Sequence, residues 1–372
     1  MIDRAVSPAP AGPDEARGSA GDAPRLHWVD TAKALAIILV VIYHVSLTGS
    51  AYLLPGSTDW GAELWRGIST YLLPVRMPLF FLVSGVLAVQ ALGRPWGLLG
   101  RRRFADLLWP FVLWSLAYGP AYGWGYGHGP GDPWGATLAQ WEAAAYGGSA
   151  YWYLTTLVAF FLVARLLRSH GAVVLVLSFV AWLGATSVDD VTEAVLPDDL
   201  VTTLTRLCWF GVWFFLGCFA RPLVESVAGA RGRALPLVSA LGFVAAAAWL
   251  YGIGGAPEQW SYGASVLGVL TFVLASVRLA RSSRVREWSA YLARRTLPIY
   301  VVHPLILTLV VWLTRDGEGR SGVEGGSPIL GFLFTPVVSA LLIAAAIGIH
   351  RLAGMVGVPW LFQAPTLRRP ST

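Results

Sequence analysis

The chain has 372 residues, 56% of them hydrophobic and only 13% charged, where soluble domains carry roughly 25% charged residues; its mean hydropathy is +0.60. These proportions exclude an ordinary soluble protein and point to repeated apolar runs of about 20 residues, each long enough to cross ~30 Å of hydrocarbon. The net charge of +6 comes from 26 Arg and one lysine, Lys33, against 21 acidic residues. The arginines fall in short clusters between apolar runs, as in loops that face anionic lipid and cytoplasm, so nucleic acid is not an expected partner.

In chain order, residues 1–24 are rich in Pro, Ala and Gly without an apolar core. They read as a disordered cytoplasmic tail rather than a signal peptide, which leaves the first span as its own uncleaved signal. Ten apolar runs follow, near 29–48, 68–92, 105–122, 151–168, 172–187, 204–220, 235–253, 260–280, 296–314 and 329–350. With the N-terminus cytoplasmic, 21 of the 26 arginines fall on inside segments, while the outside segments collect Asp59, Glu63, Asp132, Glu142 and the acidic cluster from Asp189 to Asp199. The positive-inside rule then predicts an all-α integral protein of the cell membrane, a bundle of about ten transmembrane helices with both termini cytoplasmic. The membrane domain is expected over 25–355, with 356–372 as a short cytoplasmic tail.

Three local features refine this outline. Arg165, Arg168 and Gly171 between the fourth and fifth runs predict a tight inside turn. Between Gly119 and Gly135 glycine alternates with aromatics, and Trp134, Leu138, Trp141 and Ala145 then recur at helical spacing, which predicts an amphipathic helix in the outer interface, with a lid over a substrate pocket as the alternative. Cys208 and Cys218 lie ten residues apart in one run, a rise of ~15 Å that puts them beyond disulfide reach.

An ionisable side chain inside a span costs at least ~2.5 kcal/mol, so each needs a partner or a purpose. The first run holds Asp30, Lys33 and His44. Asp30 and Lys33 are three apart and adjacent on one helix face; Lys33 suits either a snorkelling interfacial cation or a functional group. His44 lies eleven residues, ~16 Å of rise, beyond Lys33 on the same face, where it is either a packing residue or a base near mid-membrane. Arg76 in the second run is expected ~12 Å deep, at a level comparable with His44, as a structural cation or a clamp on a developing oxyanion. Ser84 and Gly85 follow, a small pair that more often permits close helix contact than catalyses. His303 in the ninth run is expected ~10 Å deep, and the following Pro304 frees a backbone carbonyl. Arg101, Arg102 and Arg103 form the densest cationic cluster beside a span end, a topology determinant or a grip on phosphate. No metal site and no bound cofactor are expected.

The opening WVDTAKALAIILVVIYH, with ten residues between Lys33 and His44, resembles the Arg/Lys-x10-His signature of the acyltransferase family 3 membrane proteins, in the branch similar to fucose 4-O-acetylases. MPLFFLVSGVLA resembles their second-span segment, AYWYLTTLVAFF their Trp-aromatic-Leu span, and LPIYVVHPL their late Tyr-x-x-His-Pro run; all four come in the family's order, from residue 28 to about 305. The resemblance implies transfer of an acyl group, acetyl by default, from cytoplasmic acyl-CoA as cosubstrate to a hydroxyl of a sugar or other acceptor. It implies His44 as catalytic base, Lys33 as its basic partner, and the inside arginines as holders of CoA. Ser84, Trp152 and His303 are substrate-contacting or structural positions. Two departures stand out: Arg103 is followed three residues later by Asp106 rather than Arg, and Arg76 stands where His or another polar residue is usual. No hydrolase-like domain follows the last run.

Together these readings predict a membrane O-acyltransferase in which His44 takes the acceptor's proton, Asp30 and Lys33 shape the field, and Arg76 steadies the oxyanion or the acceptor. Acceptor candidates are a cell-envelope glycan, a lipid-linked sugar or a secreted metabolite, and the sequence leaves direct transfer and an acyl-enzyme on His44 or Ser84 both open. The rival reading is a multi-span carrier or proton-coupled transporter whose polar residues line a path. Against it, no internal repeat suggests a two-halved architecture.

Overall fold

A computed structural model describes residues 26–54, 60–99, 104–126, 132–188, 195–252, 260–314 and 327–365. Every regular element among them is helical, as lipid demands of a chain that cannot close a barrel: backbone N–H and C=O groups in hydrocarbon must bond within their own segment. In order the helices are α1 (His27–Tyr43), a π-helical stretch (His44–Gly49), α2 (Ser50–Leu53), α3 (Trp60–Tyr71), α4 (Leu73–Leu92), α5 (Trp96–Leu99), α6 (Asp106–Tyr126), α7 (Pro133–Ala145) and α8 (Trp152–Leu166). After a 3-10 turn at Arg168–His170 come α9 (Gly171–Leu183), α10 (Asp198–Phe219), α11 (Arg221–Ala228), α12 (Ala234–Gly252), α13 (Trp260–Leu279), α14 (Ser283–Ala293), α15 (Thr296–Leu313) and α16 (Pro328–Met355).

All ten apolar runs are helices, but they do not all have the form of a simple span. Six are long and apolar enough among the described residues: His27–Leu53, Leu73–Leu92, Asp198–Phe219, Ser261–Leu279, Thr296–Leu313 and Pro328–Met355. The tight turn expected after Arg165 is instead a bend of 81° between α8 and α9, short of the reversal that antiparallel neighbours need. Its cause is local. The guanidinium of Arg165 donates to the carbonyls of Leu92 and Arg94 at the end of α4, where orphan carbonyls attract cations, and a Cβ on Gly171 would lie 2.6 Å from the Phe219 ring, so α9 starts hard against the end of α10.

The most enclosed helix is α4, with 78% of its apolar window buried against 22% for α16. Lipid gives apolar side chains no reason to prefer protein, so such a helix is held by close packing and small residues. Gly85 of α4 and Gly217 of α10 meet at the crossing: a Cβ on Gly85 would strike the Phe214 carbonyl, and one on Gly217 the Leu82 carbonyl. The Cys218 thiol adds a bond to the Gly85 carbonyl at 3.3 Å. Gly125 of α6 likewise seats against Thr308 of α15.

The expected surface helix is present as α7, though its amphipathicity is weak. Asp132 caps it by accepting from the Gly135 N–H at 2.8 Å, Trp134 and Leu138 are exposed, and the Trp141 ring lies over Gly119. A second such helix, α3, was not anticipated; its Gly61 packs on the backbone of Phe332 and Trp65 donates to the Phe332 carbonyl at 2.8 Å. After α16 the chain folds back on α6, where Trp109 and Trp114 donate to the carbonyls of Trp360 and Leu361 and Phe362 is buried.

Because the α4–α10 crossing leaves no room for a methyl group, Gly85→Ala should lower stability by about 1–3 kcal/mol. Gly354→Ala, whose Cβ meets nothing within 4 Å, should stay within about 0.5 kcal/mol of the parent. Thermal unfolding of both variants in the same detergent checks the contrast.

Candidate active site

The polar residues singled out from the first, second and ninth runs converge. His44 stands where α1 gives way to the π-helical stretch His44–Gly49, a distortion found mostly at functional sites because it widens a turn and re-aims side chains. Hydroxyls brace that stretch: Ser46 and Ser69 Oγ atoms are 2.6 Å apart, and Ser50 Oγ donates to the Ser46 carbonyl. The His44 ring lies 5.2 Å, centroid to centroid, from the His303 ring of α15. Arg76 is buried, its guanidinium carbon 3.6 Å from the centre of the Tyr43 ring, and its charge acts on His44. The levels expected for His44, Arg76 and His303 therefore coincide, although they come from three separate helices.

His303 is fully buried and tied to its own helix. Its Nδ1 lies 2.8 Å from the Ile299 carbonyl, and a carbonyl only accepts, so Nδ1 carries the proton and Nε2 of the neutral ring keeps a lone pair. Nε2 has no hydrogen-bond partner. A buried polar atom left unpaired is costly. Pro304 has no N–H to give the Tyr300 carbonyl, so that carbonyl is freed and becomes a second backbone acceptor beside the His303 ring.

A crevice of about 140 Å³ lies beside this centre, with Lys33, Ser84, Ala88, Leu107, Tyr153 and Tyr300 among its walls; His44 and His303 do not line it. Thr296 and Leu297 also line it, so it follows α15 from its first turn; from Thr296 to His303 the helix rises ~10 Å. Lys33 thus belongs to the crevice wall, while Asp30 lies one turn earlier on α1. Ser84 Oγ is 2.7 Å from the Tyr153 hydroxyl, a bond that occupies it with a phenol rather than a base.

Two tyrosines that the sequence reading passed over hold the deep end. The Tyr300 hydroxyl accepts from the Tyr153 N–H at 3.3 Å and donates to the Ala150 carbonyl at 3.2 Å, and the Tyr300 ring is 6.3 Å from the His303 ring. The signal was available: Tyr300 and His303 are three residues apart and share a helix face. Trp152 is placed differently from the other candidates. It stacks on Phe210 at 5.4 Å, with Arg206 at 4.7 Å from its ring centre, and so forms a packing cluster beside the centre. Arg101, Arg102 and Arg103 lie outside the described residues.

Residues 26–351 match the model of the Acyltransferase domain family, Acyl_transf_3. The match takes in most of the chain, and the chain belongs to acyltransferase family 3. It is also similar to the Inner membrane protein YcfT of Escherichia coli (strain K12), 25% identical over 362 residues that cover 91% of this chain and 96% of that protein. No solved structure matches it.

Tyr300→Phe would leave the buried Tyr153 N–H and Ala150 carbonyl each short of a partner. Its expected cost is about 1–3 kcal/mol, read as a lowered melting temperature in detergent; Tyr153→Phe, which removes only the bond to Ser84, should cost less.

Proposed function

We propose that this member of acyltransferase family 3 is an O-acyltransferase of the cell membrane that moves an acyl group, acetyl by default, from cytoplasmic acyl-CoA to a hydroxyl of a sugar, cell-envelope glycan or secreted metabolite. The observation that carries the reading is the meeting of His44 and His303, rings 5.2 Å apart, beside a crevice walled by Lys33. The alternation of 21 of 26 arginines with acidic segments supports about ten spans with both termini cytoplasmic, and the similarity to an inner membrane protein supports the location.

In this scheme the phosphates of CoA rest on the arginines at 101–103, and the pantetheine arm enters beside Lys33, Ala88 and Leu107 and runs along α15 toward Tyr300. The thioester then lies at the level of the two histidines. His44 removes the acceptor's hydroxyl proton as its oxygen attacks the thioester carbon, forming the C–O bond and an oxyanion. Arg76, already buried and held over Tyr43, stabilises that charge in a dry site where each electrostatic contact is strengthened. Collapse breaks the C–S bond, and the imidazolium returns its proton to the CoA thiolate. His303, with a lone pair on an otherwise unpartnered Nε2, accepts a hydrogen bond from the acceptor or from the His44 ring. The engagement of Ser84 with Tyr153 favours direct transfer over a serine-bound intermediate.

Removal of a general base costs typically 10²–10⁴-fold. His44→Ala, purified in nanodiscs and given radiolabelled acetyl-CoA with envelope extract, should therefore lose CoA release and labelled product by about that factor while still binding the donor. If the parent protein consumes none of several acyl-CoAs, the carrier reading takes its place and solute flux across proteoliposomes becomes the measurement.

A further inference from the structure

A second cavity lies away from the histidines, in an open groove between α14 and α16 at the arginine-bearing end of the bundle. It encloses about 640 Å³ and is lined by Glu287, Trp288 and Tyr291 of α14 and by Ala344, Gly348 and Arg351 of α16. Its mouth is cationic. Arg351 donates from Nη2 to the Tyr291 hydroxyl at 2.8 Å, and Arg295 sits 3.8 Å from the centre of the same ring. One tyrosine thereby holds two guanidinium groups together, and among the described residues neither makes an ion pair. Arg295 Nε is also buried without a hydrogen-bond partner. Arg281, Arg284, Arg286 and Arg294 lie on or beside the same short helix, so the single carboxylate of Glu287 leaves the region strongly positive.

The rest of the groove is apolar and shaped as a furrow. Ala344 and Gly348 stand one turn apart on an exposed face of α16, and a Cβ on Gly348 would meet nothing within 4 Å. Trp288, 69% exposed, flanks the furrow, as tryptophans do at the level of lipid headgroups. A positive mouth over a chain-wide apolar furrow at that level complements an anionic lipid, whose phosphate and acyl chain present the same two chemistries in the same order.

We propose that this groove binds an anionic phospholipid of the phosphatidylglycerol type, with its phosphodiester on Arg351, its headgroup hydroxyls toward Glu287 and an acyl chain over Ala344 and Gly348. The site is independent of the acyl-transfer reading. Its position couples it to the bundle's centre: Arg295 is the residue from which α15 starts toward His303, and α14 packs on α1, which carries Lys33 and leads to His44. Bound lipid braces both helices.

The test is native mass spectrometry of the purified, delipidated full chain titrated with phosphatidylglycerol, phosphatidylethanolamine and phosphatidylcholine of identical acyl chains. One arginine near a membrane surface contributes about 1 kcal/mol toward anionic lipid, so the parent should retain phosphatidylglycerol roughly fivefold better than phosphatidylcholine, and Arg351→Ala should remove most of that preference. Gly348→Leu, whose Cβ would meet nothing within 4 Å and whose side chain occupies the furrow, should lower retention of phosphatidylglycerol at an unchanged melting temperature; it decides the matter by itself if Arg351→Ala fails to fold. Equal retention of the three lipids, a preference for phosphatidylethanolamine, or a phosphatidylglycerol preference that survives Gly348→Leu overturns the proposal.

Discussion

Inside hydrocarbon no water is present to take up an unsatisfied polar group, and most of this structure follows from that constraint. The backbone answers it by forming only helices as its regular elements among the described residues. Side chains answer it case by case: threonine and serine hydroxyls return to carbonyls one turn back, as Thr31, Thr271, Ser276 and Thr308 do, and arginines at helix ends bind terminal carbonyls, as Arg165 and Arg278 do. The loops that the positive-inside rule would place on one side are therefore also fastened by the residues that set that side.

The same constraint makes the exceptions informative. His303 Nε2 is fully enclosed and unpaired, Arg76 carries a charge into the interior against a tyrosine face, and the first span breaks its regular helix at His44. The unmade bond at His303 and the irregular turn at His44 are each costly taken singly. The three meet at one level of the bundle, beside a crevice that Lys33 and Tyr300 help to line.

Glycine decides how closely the elements that build this centre approach. Gly85 and Gly217 let α4 and α10 touch backbone to backbone; elsewhere on α4, Ser84 lies beside Tyr153 and Arg76, two turns earlier, lies over Tyr43. Gly125 does the same for α6 against Thr308 of α15, the helix that holds Tyr300 and His303.

Much of this was legible in the chain. Apolar runs of span length, arginine clusters and the spacing of Lys33, His44, Arg76 and His303 are local properties; helical rise converts them directly into depth, so the common level of the polar residues could be foreseen. Helix α7 was equally local, since its aromatic spacing and Asp132 cap lie within one segment. Other features depend on partners distant in sequence and were not legible: the 81° bend between α8 and α9, set by the bonds of Arg165 to the end of α4 and by Phe219 against Gly171; the packing of Trp152 with Arg206 and Phe210 rather than along the crevice; and the hydrogen bonds of Tyr153 and Tyr300. By itself the sequence determined that the protein is helical, lives in lipid and carries its ionisable residues at particular depths, because hydrophobicity and helical periodicity act within one segment. Which of those residues face one another was decided only by the tertiary structure, because helix rotation and approach depend on glycine contacts and hydrogen bonds between segments as far apart as Gly85 and Gly217, or His44 and His303.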